Sequence, residues 1–174
     1  MFSSLLVATD GSGHASHAVN VAIDLAKTYQ AKLHVVHVLS RDFASSDLEH
    51  MIDSEHLDDS YHAAGTQLNI GISSSVAEHG MMRSGDREAR MIEVIGERIA
   101  ASAVRKAEQE GLDEVTSSVR NGDYANAILE AAEESKADMI IMGRRGLSTL
   151  KGFMVGSVSQ KVSQRASCSV LTVK

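Results

Sequence analysis

The stretch Asp138 to Ser159 reads DMIIMGRRGLSTLKGFMVGSVS, and its reading decides how the rest of the chain is organised. Met139 to Met142 is a short, continuously apolar run, the signature of a strand covered on both faces. A loop punctuated by Gly143, Gly146 and Gly156 follows, and a helix is expected to open near Gly156 and Ser157. Glycine lets another group approach the main chain closely, so glycines between a strand and a helix suit a loop folded round a ligand. The helix start adds unpaired N–H donors and the positive end of a dipole. Together these features make an anion site, and phosphate is the obvious anion.

Working outward, the same alternation recurs. Leu5 to Ala8 is a second short apolar run, ending at Thr9 and Asp10. Ala15, Ala18, Val19, Ala22, Ile23 and Ala26 then fall at intervals of three and four, one face of a helix. Leu33 to Leu39 is the next strand, which completes a βαβ unit with an expected right-handed crossover. From Ser40 to Gly85 the periodicity fades in a stretch too long for an ordinary loop, with a short helix expected at Leu48 to Leu57. This stretch is read as an insertion between the second strand and the second helix. Ile92, Ile95, Ile99, Ala103 and Ala107 mark a helix from about Asp86 to a stop at Gly111.

A weak strand at Val115 to Val119, rich in Thr and Ser, suits a sheet edge. Asn121 or Asp123 can cap a helix burying Tyr124, Ala127, Ile128, Ala131 and Ala132. After the glycine loop come a helix to Arg165 and a last strand, Ser169 to Val173. The chain, 174 residues long, therefore reads as a single α/β domain, a parallel sheet with helices on both faces.

The totals agree with such a domain and narrow its partners. Apolar residues make up 43% and aromatics 3%, so the core is aliphatic. A net charge of -6 argues against nucleic acid or an acidic membrane as a general partner, because binding to either rests on clustered Lys and Arg. With one cysteine, Cys168, no intrachain disulfide can form. No run approaches 18 apolar residues and the N-terminus lacks a signal-like segment, which leads to the expectation of a cytoplasmic protein without a membrane partner.

The spacing Gly143, two residues, Gly146, nine residues, Gly156, Ser157 is a G-x2-G-x9-G-[ST] pattern, and it resembles the ATP-binding loop of the universal stress protein family. The resemblance extends to ADMIIMG at Ala137 to Gly143, to GSVSQKVSQRASCSVLTVK at Gly156 to Lys174, and to LLVATDGS at Leu5 to Ser12. It implies an open, doubly wound five-stranded sheet in the order 3-2-1-4-5, Rossmann-like and of the adenine nucleotide alpha-hydrolase type. In that order the winding reverses between the first and fourth strands, and ligands of open α/β sheets sit beyond the carboxyl ends at such a reversal. Asp10 and Gly143 stand at those two ends.

The resemblance further implies ATP, AMP or ADP as ligand, with Mg²⁺ held mainly by the phosphates. Asp10 would lie near the ribose or the metal-bound phosphates, with backbone groups of Ala8 and Val38 and the Met142 side chain bordering the base. Gly143, Gly146, Gly156, Ser157 and Val158 would surround ribose and phosphates. Arg144, Arg145 and Lys151 add local positive charge. The expected function is a nucleotide-responsive stress or regulatory protein rather than an enzyme. Slow ATP hydrolysis or a nucleotide-independent, oligomerising role is the alternative. The edge at Val170 to Val173 offers unpaired backbone groups, so a homodimer through the last strand is expected. Family members commonly carry prolines in that strand, and here it has none.

Other motifs are weaker. Gly11-Ser-Gly13-His-Ala-Ser16 mimics a dinucleotide fingerprint, with Asp42 as its acid, but no catalytic partner accompanies it. His14 and His17, and His34 and His37, are spaced by three as metal ligands can be. On a strand, however, residues three apart point to opposite faces, which sets aside His34 and His37 as a joint site, and His50, His56, His62 and His79 bring no accompanying motif. No metal site is expected. Asp138 opens a strand and is read as structural, and Cys168 as a small buried thiol rather than a nucleophile.

Overall fold

The structure, a computed structural model, describes residues 2–39, 84–147 and 156–174. Nearly all of the segment read as an insertion, the helix expected at Leu48 to Leu57, Asp42, Lys151 and the four histidines between 50 and 79 lie outside the described residues. In chain order the elements are β1 (Ser4–Ala8), α1 (Gly13–Tyr29), β2 (Lys32–Leu39), α2 (Ser84–Gln109), β3 (Val115–Asn121), α3 (Tyr124–Glu134), β4 (Met139–Gly143), α4 (Ser157–Arg165) and β5 (Ser169–Val173). The strands form one sheet in the order β3-β2-β1-β4-β5, and every neighbouring pair is parallel. The expected fold class and strand order are both observed.

Alternation along the central strands sorts the core into two layers. Leu5, Val7, Leu33, Val35 and Ile141 face one side and meet the alanine-rich faces of α1 and α2. Leu6, Ala8, Val36, Val38, Ile140 and Met142 face the other and meet α3 and Val162 of α4. Alanine dominates the helix faces, so the helices lie close to the sheet and the strand residues supply most of the buried volume. Burying each Leu, Ile or Val fully is worth about 1.5–3 kcal/mol relative to exposure.

The six apolar positions expected on α1 are the six that are buried there. On α2, Ile99, Ala103 and Ala107 are buried together with Ala100, while Ile92 and Ile95 are only half-buried. Asp123, not Asn121, caps α3, accepting from the Asn126 amide, and Asn121 closes β3. Tyr124 is half-buried, and Ala125 takes the buried place beside it.

Asp138 has the structural role expected of it. Its Oδ2 accepts from the amide and hydroxyl of Ser3 at 2.6 and 2.8 Å and from the amide of Ser4 at 3.0 Å, which pins the start of β1 to the start of β4. These donors hold its carboxyl below the usual range. His34 and His37 do lie on opposite faces. His34 joins the hydroxyls of Thr116 and Ser118 at 2.8 and 2.9 Å, whereas His37 is buried against Gly96 of α2. Among the described residues no helix is long and apolar enough to cross a membrane.

Candidate functional site

β1 and β4 are neighbours, with Ala8 level with Met142, and their chains leave the sheet in opposite directions through the strand order. Between their carboxyl ends a crevice forms, because the crossover from β1 covers one face and the crossover from β4 the other. Ala8, Val38 and Met142 are 8%, 6% and 6% exposed and form the apolar floor on the α3 side. Val38 stands two residues beyond Val36, the partner of Ala8, and so reaches the level of Asp10.

Past Ala8 the chain remains tied to the sheet: the Thr9 amide donates to the Val36 carbonyl at 3.0 Å, and Nδ1 of buried His37 lies 2.8 Å from the Thr9 carbonyl. A carbonyl can only accept, so Nδ1 carries the proton. Burial pushes the His37 imidazole below its ordinary pKa, opposed by the Thr9 bond and by the Asp10 charge. Asp10 then turns the chain into α1. Its Oδ1 accepts from the Ser12 amide at 3.0 Å, and the Ser12 hydroxyl caps α1 by accepting from the Ala15 amide at 3.3 Å.

On the β4 side, Arg144 is the hub. Its amide donates to Val173 at 2.7 Å, and its carbonyl accepts from the Gly156 amide at 2.9 Å and the Ser159 hydroxyl at 2.9 Å. The exit of β4 and the entrance of α4 are thereby joined although the chain between them is long. Ser159 is 2% exposed and also reaches the Gly156 carbonyl at 2.9 Å. Gly156 is the N-cap of α4 with φ -73° and ψ 150°, and it offers no side chain to the first turn. Helix geometry leaves the amides of Ser157 and Val158 without an intrahelical acceptor, beside the Arg144 and Arg145 main chain that Gly156 touches. Nε of Arg144 is buried, with no hydrogen-bond partner among the described residues.

Two of the glycines have steric causes within the chain itself. A Cβ on Gly143 would stand 2.8 Å from the Arg145 carbonyl oxygen and 3.0 Å from the His14 carbonyl carbon, so the first turn of α1 and the loop both close on it. A Cβ on Gly146 would stand 2.3 Å from Oδ2 of Asp10. That oxygen also accepts from the Leu147 amide at 3.1 Å. Asp10, Gly143, Arg145, Gly146 and Gly156 thus form one cluster, with Ser157 exposed and Val158 half-buried at its rim.

Thr9, Leu147 and Ser159 belong to this assembly and were not singled out from sequence, and His37, weighed there only as a metal ligand, belongs to it through its bond to the Thr9 carbonyl. Ser159 alone carried a signal, a serine three residues before an apolar position on the buried face of a short helix. Among the described residues no three of His, Cys, Asp or Glu cluster as metal ligands. A shallow groove at the other end of the sheet, bordered by Lys136, Asp138 and Cys168, offers little chemistry. Its carboxylate is taken up by Ser3 and Ser4, and burial raises the pKa of its thiol.

A model of the universal stress protein family matches residues 1–174. Universal stress protein YxiE of Bacillus subtilis (strain 168) is 33% identical over 174 residues, covering 100% of both chains. Among solved structures, a universal stress protein in complex with cAMP superposes with a TM-score of 0.63 at 23% identity, covering 99% of this chain and 97% of that one. The universal stress protein from Archaeoglobus fulgidus in complex with dAMP gives 0.58 at 18% identity, covering 99% and 98%. At those identities the likeness speaks to the fold. The family match along the full length carries the assignment: the chain belongs to the universal stress protein family.

Proposed function

We propose that the crevice at the carboxyl ends of β1 and β4 binds an adenine nucleotide, ATP or its AMP and ADP relatives, and that the protein is a nucleotide-responsive stress or regulatory protein. The observation that carries this reading is the uncapped start of α4, held against the end of β4 by the Gly156 and Ser159 bonds to Arg144. Gly156 supplies no capping side chain, and amides fixed in direction at such a helix start suit phosphate oxygens. Arg144 adds a buried Nε donor, and Ala8, Val38 and Met142 add an apolar floor for a base. Two relatives of the same fold were solved with cAMP and dAMP, which supports adenine as the base.

In this reading Ala8, Asp10, Val38, Met142, Gly143, Arg145, Gly146, Gly156, Ser157 and Val158 line the nucleotide. Mg²⁺, bound mainly by the phosphates, would neutralise their charge. Regulation follows when bound and free states present different surfaces to a partner. The sequence has no lysine-containing phosphate loop and no evident general base, so turnover of ATP is expected to be slow at most. The free edge of β5 is the proposed homodimer contact, and the cytoplasm the proposed location.

Ser157→Pro tests the site without disturbing the helix. Proline is tolerated at the first helical position, and Gly156 already has the extended ψ that a residue before proline requires. The variant should melt like the wild type yet bind ATP with Mg²⁺ about tenfold more weakly, the value of one hydrogen bond to a charged group. Ser157→Ala, which removes only the hydroxyl, separates side chain from amide. No thermal stabilisation of the wild type by millimolar ATP, ADP, AMP or cAMP would count decisively against nucleotide binding.

A further inference from the structure

Asp10 is where the crevice already holds an anion. One of its oxygens accepts from the Ser12 amide at 3.0 Å on the β1 side, and the other from the Leu147 amide at 3.1 Å on the β4 side. The Gly146 Cα lies so close that an added Cβ would be 2.3 Å from the second oxygen. Two main-chain amides from opposite walls therefore converge on one carboxylate. An anionic oxygen held by backbone N–H groups is also what a bound phosphate presents. Ser12 and Leu147 are 135 residues apart in sequence, so this carboxylate is a physical link between the turn into α1 and the loop leaving β4.

We propose that Asp10 is an internal stand-in for phosphate, latching the Gly146–Leu147 segment to the β1 turn and competing with a nucleotide's phosphates for the Leu147 amide. The proposal rests on the nucleotide reading above and adds a selection rule to it. A free polyphosphate entering the crevice meets the Asp10 charge at short range, where the effective dielectric is well below that of water. A divalent cation carried by the phosphates removes the repulsion and gives the displaced carboxylate a new partner. The ligand class favoured is accordingly the metal-complexed nucleotide over the metal-free anion.

Asp10→Asn keeps the shape, removes the charge and leaves one acceptor oxygen for two amides, with its NH₂ group facing the other donor. Gly146→Ala attacks the same latch from the opposite side by crowding Oδ2. In the ligand-free protein, hydrogen exchange at the Leu147 amide should be slow in the wild type and faster by about tenfold or more in both variants. By calorimetry, Asp10→Asn should bind metal-free ATP about tenfold more tightly than the wild type, and the difference should shrink to about twofold or less with Mg²⁺ present. Equal or weaker binding of metal-free ATP by Asp10→Asn overturns the competition, and makes Asp10 a direct ligand contact instead. A Leu147 amide that exchanges as fast in the wild type as in Asp10→Asn overturns the latch. Absence of ATP binding by every protein under both conditions overturns the nucleotide reading and the competition together, and the exchange data then judge the latch alone.

Discussion

His37 shows how a single side chain couples the core to the crevice. It is 4% exposed, packs against Gly96 and donates from Nδ1 to the Thr9 carbonyl. Burial lowers its pKa below the ordinary value of about 6.5, and burial and Arg120 lower that of His34. The sign follows directly. Below that value the unfolded chain takes up a proton that the folded state refuses, so stability is full above about pH 6.5 and declines as pH falls toward the folded-state values. The carboxylates of Asp123, Glu134 and Asp138 are shifted down by their hydrogen bonds, and their contribution is lost in a separate window below about pH 4. Melting temperature measured from pH 8 to 5 should fall in the lower half of that range, and His37→Gln should flatten the decline. A profile that is level or rises toward pH 5 contradicts the burial argument. None of this was visible in sequence, where His37 was weighed only as a metal ligand. Gly143 teaches the same lesson from the other side. Its position in the loop was legible from spacing, but the reason for a glycine there is the approach of His14 and Arg145, which only the packed chain reveals.

At the scale of elements, the first turn of α1 carries much of the site's order. The Ser12 hydroxyl caps the helix through the Ala15 amide, and the backbone at His14 and Ala15 packs on Gly143. Ser12 is 7% exposed, so water does not easily replace the lost acceptor. Ser12→Ala should lower stability by about 1 kcal/mol, and Ser12→Asp should keep most of the cap. Urea denaturation checks this, with a shifted midpoint and an unchanged m-value expected; a shift within error would mean that the cap contributes nothing measurable. The buried face of α1 and the central strands were legible because apolar residues recur there at intervals of three and four or run unbroken, whereas α4, which buries only Ser159 and Val162, was legible from the glycine spacing before it. Half-burial of Ile92, Ile95 and Tyr124 was not, since a periodic face says which way a helix points but not how far the sheet extends beneath it. The cap of α3 was ambiguous for a similar reason: Asn121 and Asp123 are both good cap residues, and the length of β3 decides between them.

For the whole molecule, the open question of physics is what becomes of the edge at β5. The Ser169 amide and the Val173 carbonyl point toward β4, so the backbone groups of Val170 and Thr172, which alternate with them, point outward. Val170, Leu171 and Val173 are each half-buried, Val170 on the layer shared with α3 and the other two on the layer shared with α1. An edge unpaired among the described residues, with apolar neighbours on both faces, invites a second strand, and pairing with its own copy would be isologous and closed. Under this arrangement the Thr172 amide donates across the dimer. Thr172→Pro deletes that donor and no bond of the β4 ladder, because proline is tolerated where the missing N–H faces away from the sheet. Sedimentation should give a dimer for the wild type and a monomer, or a dimer weakened about tenfold or more, for Thr172→Pro, with far-UV circular dichroism unchanged. A wild type that sediments as a monomer at tens of micromolar, or a Thr172→Pro variant as dimeric as its parent, rules out the β5 edge as the contact.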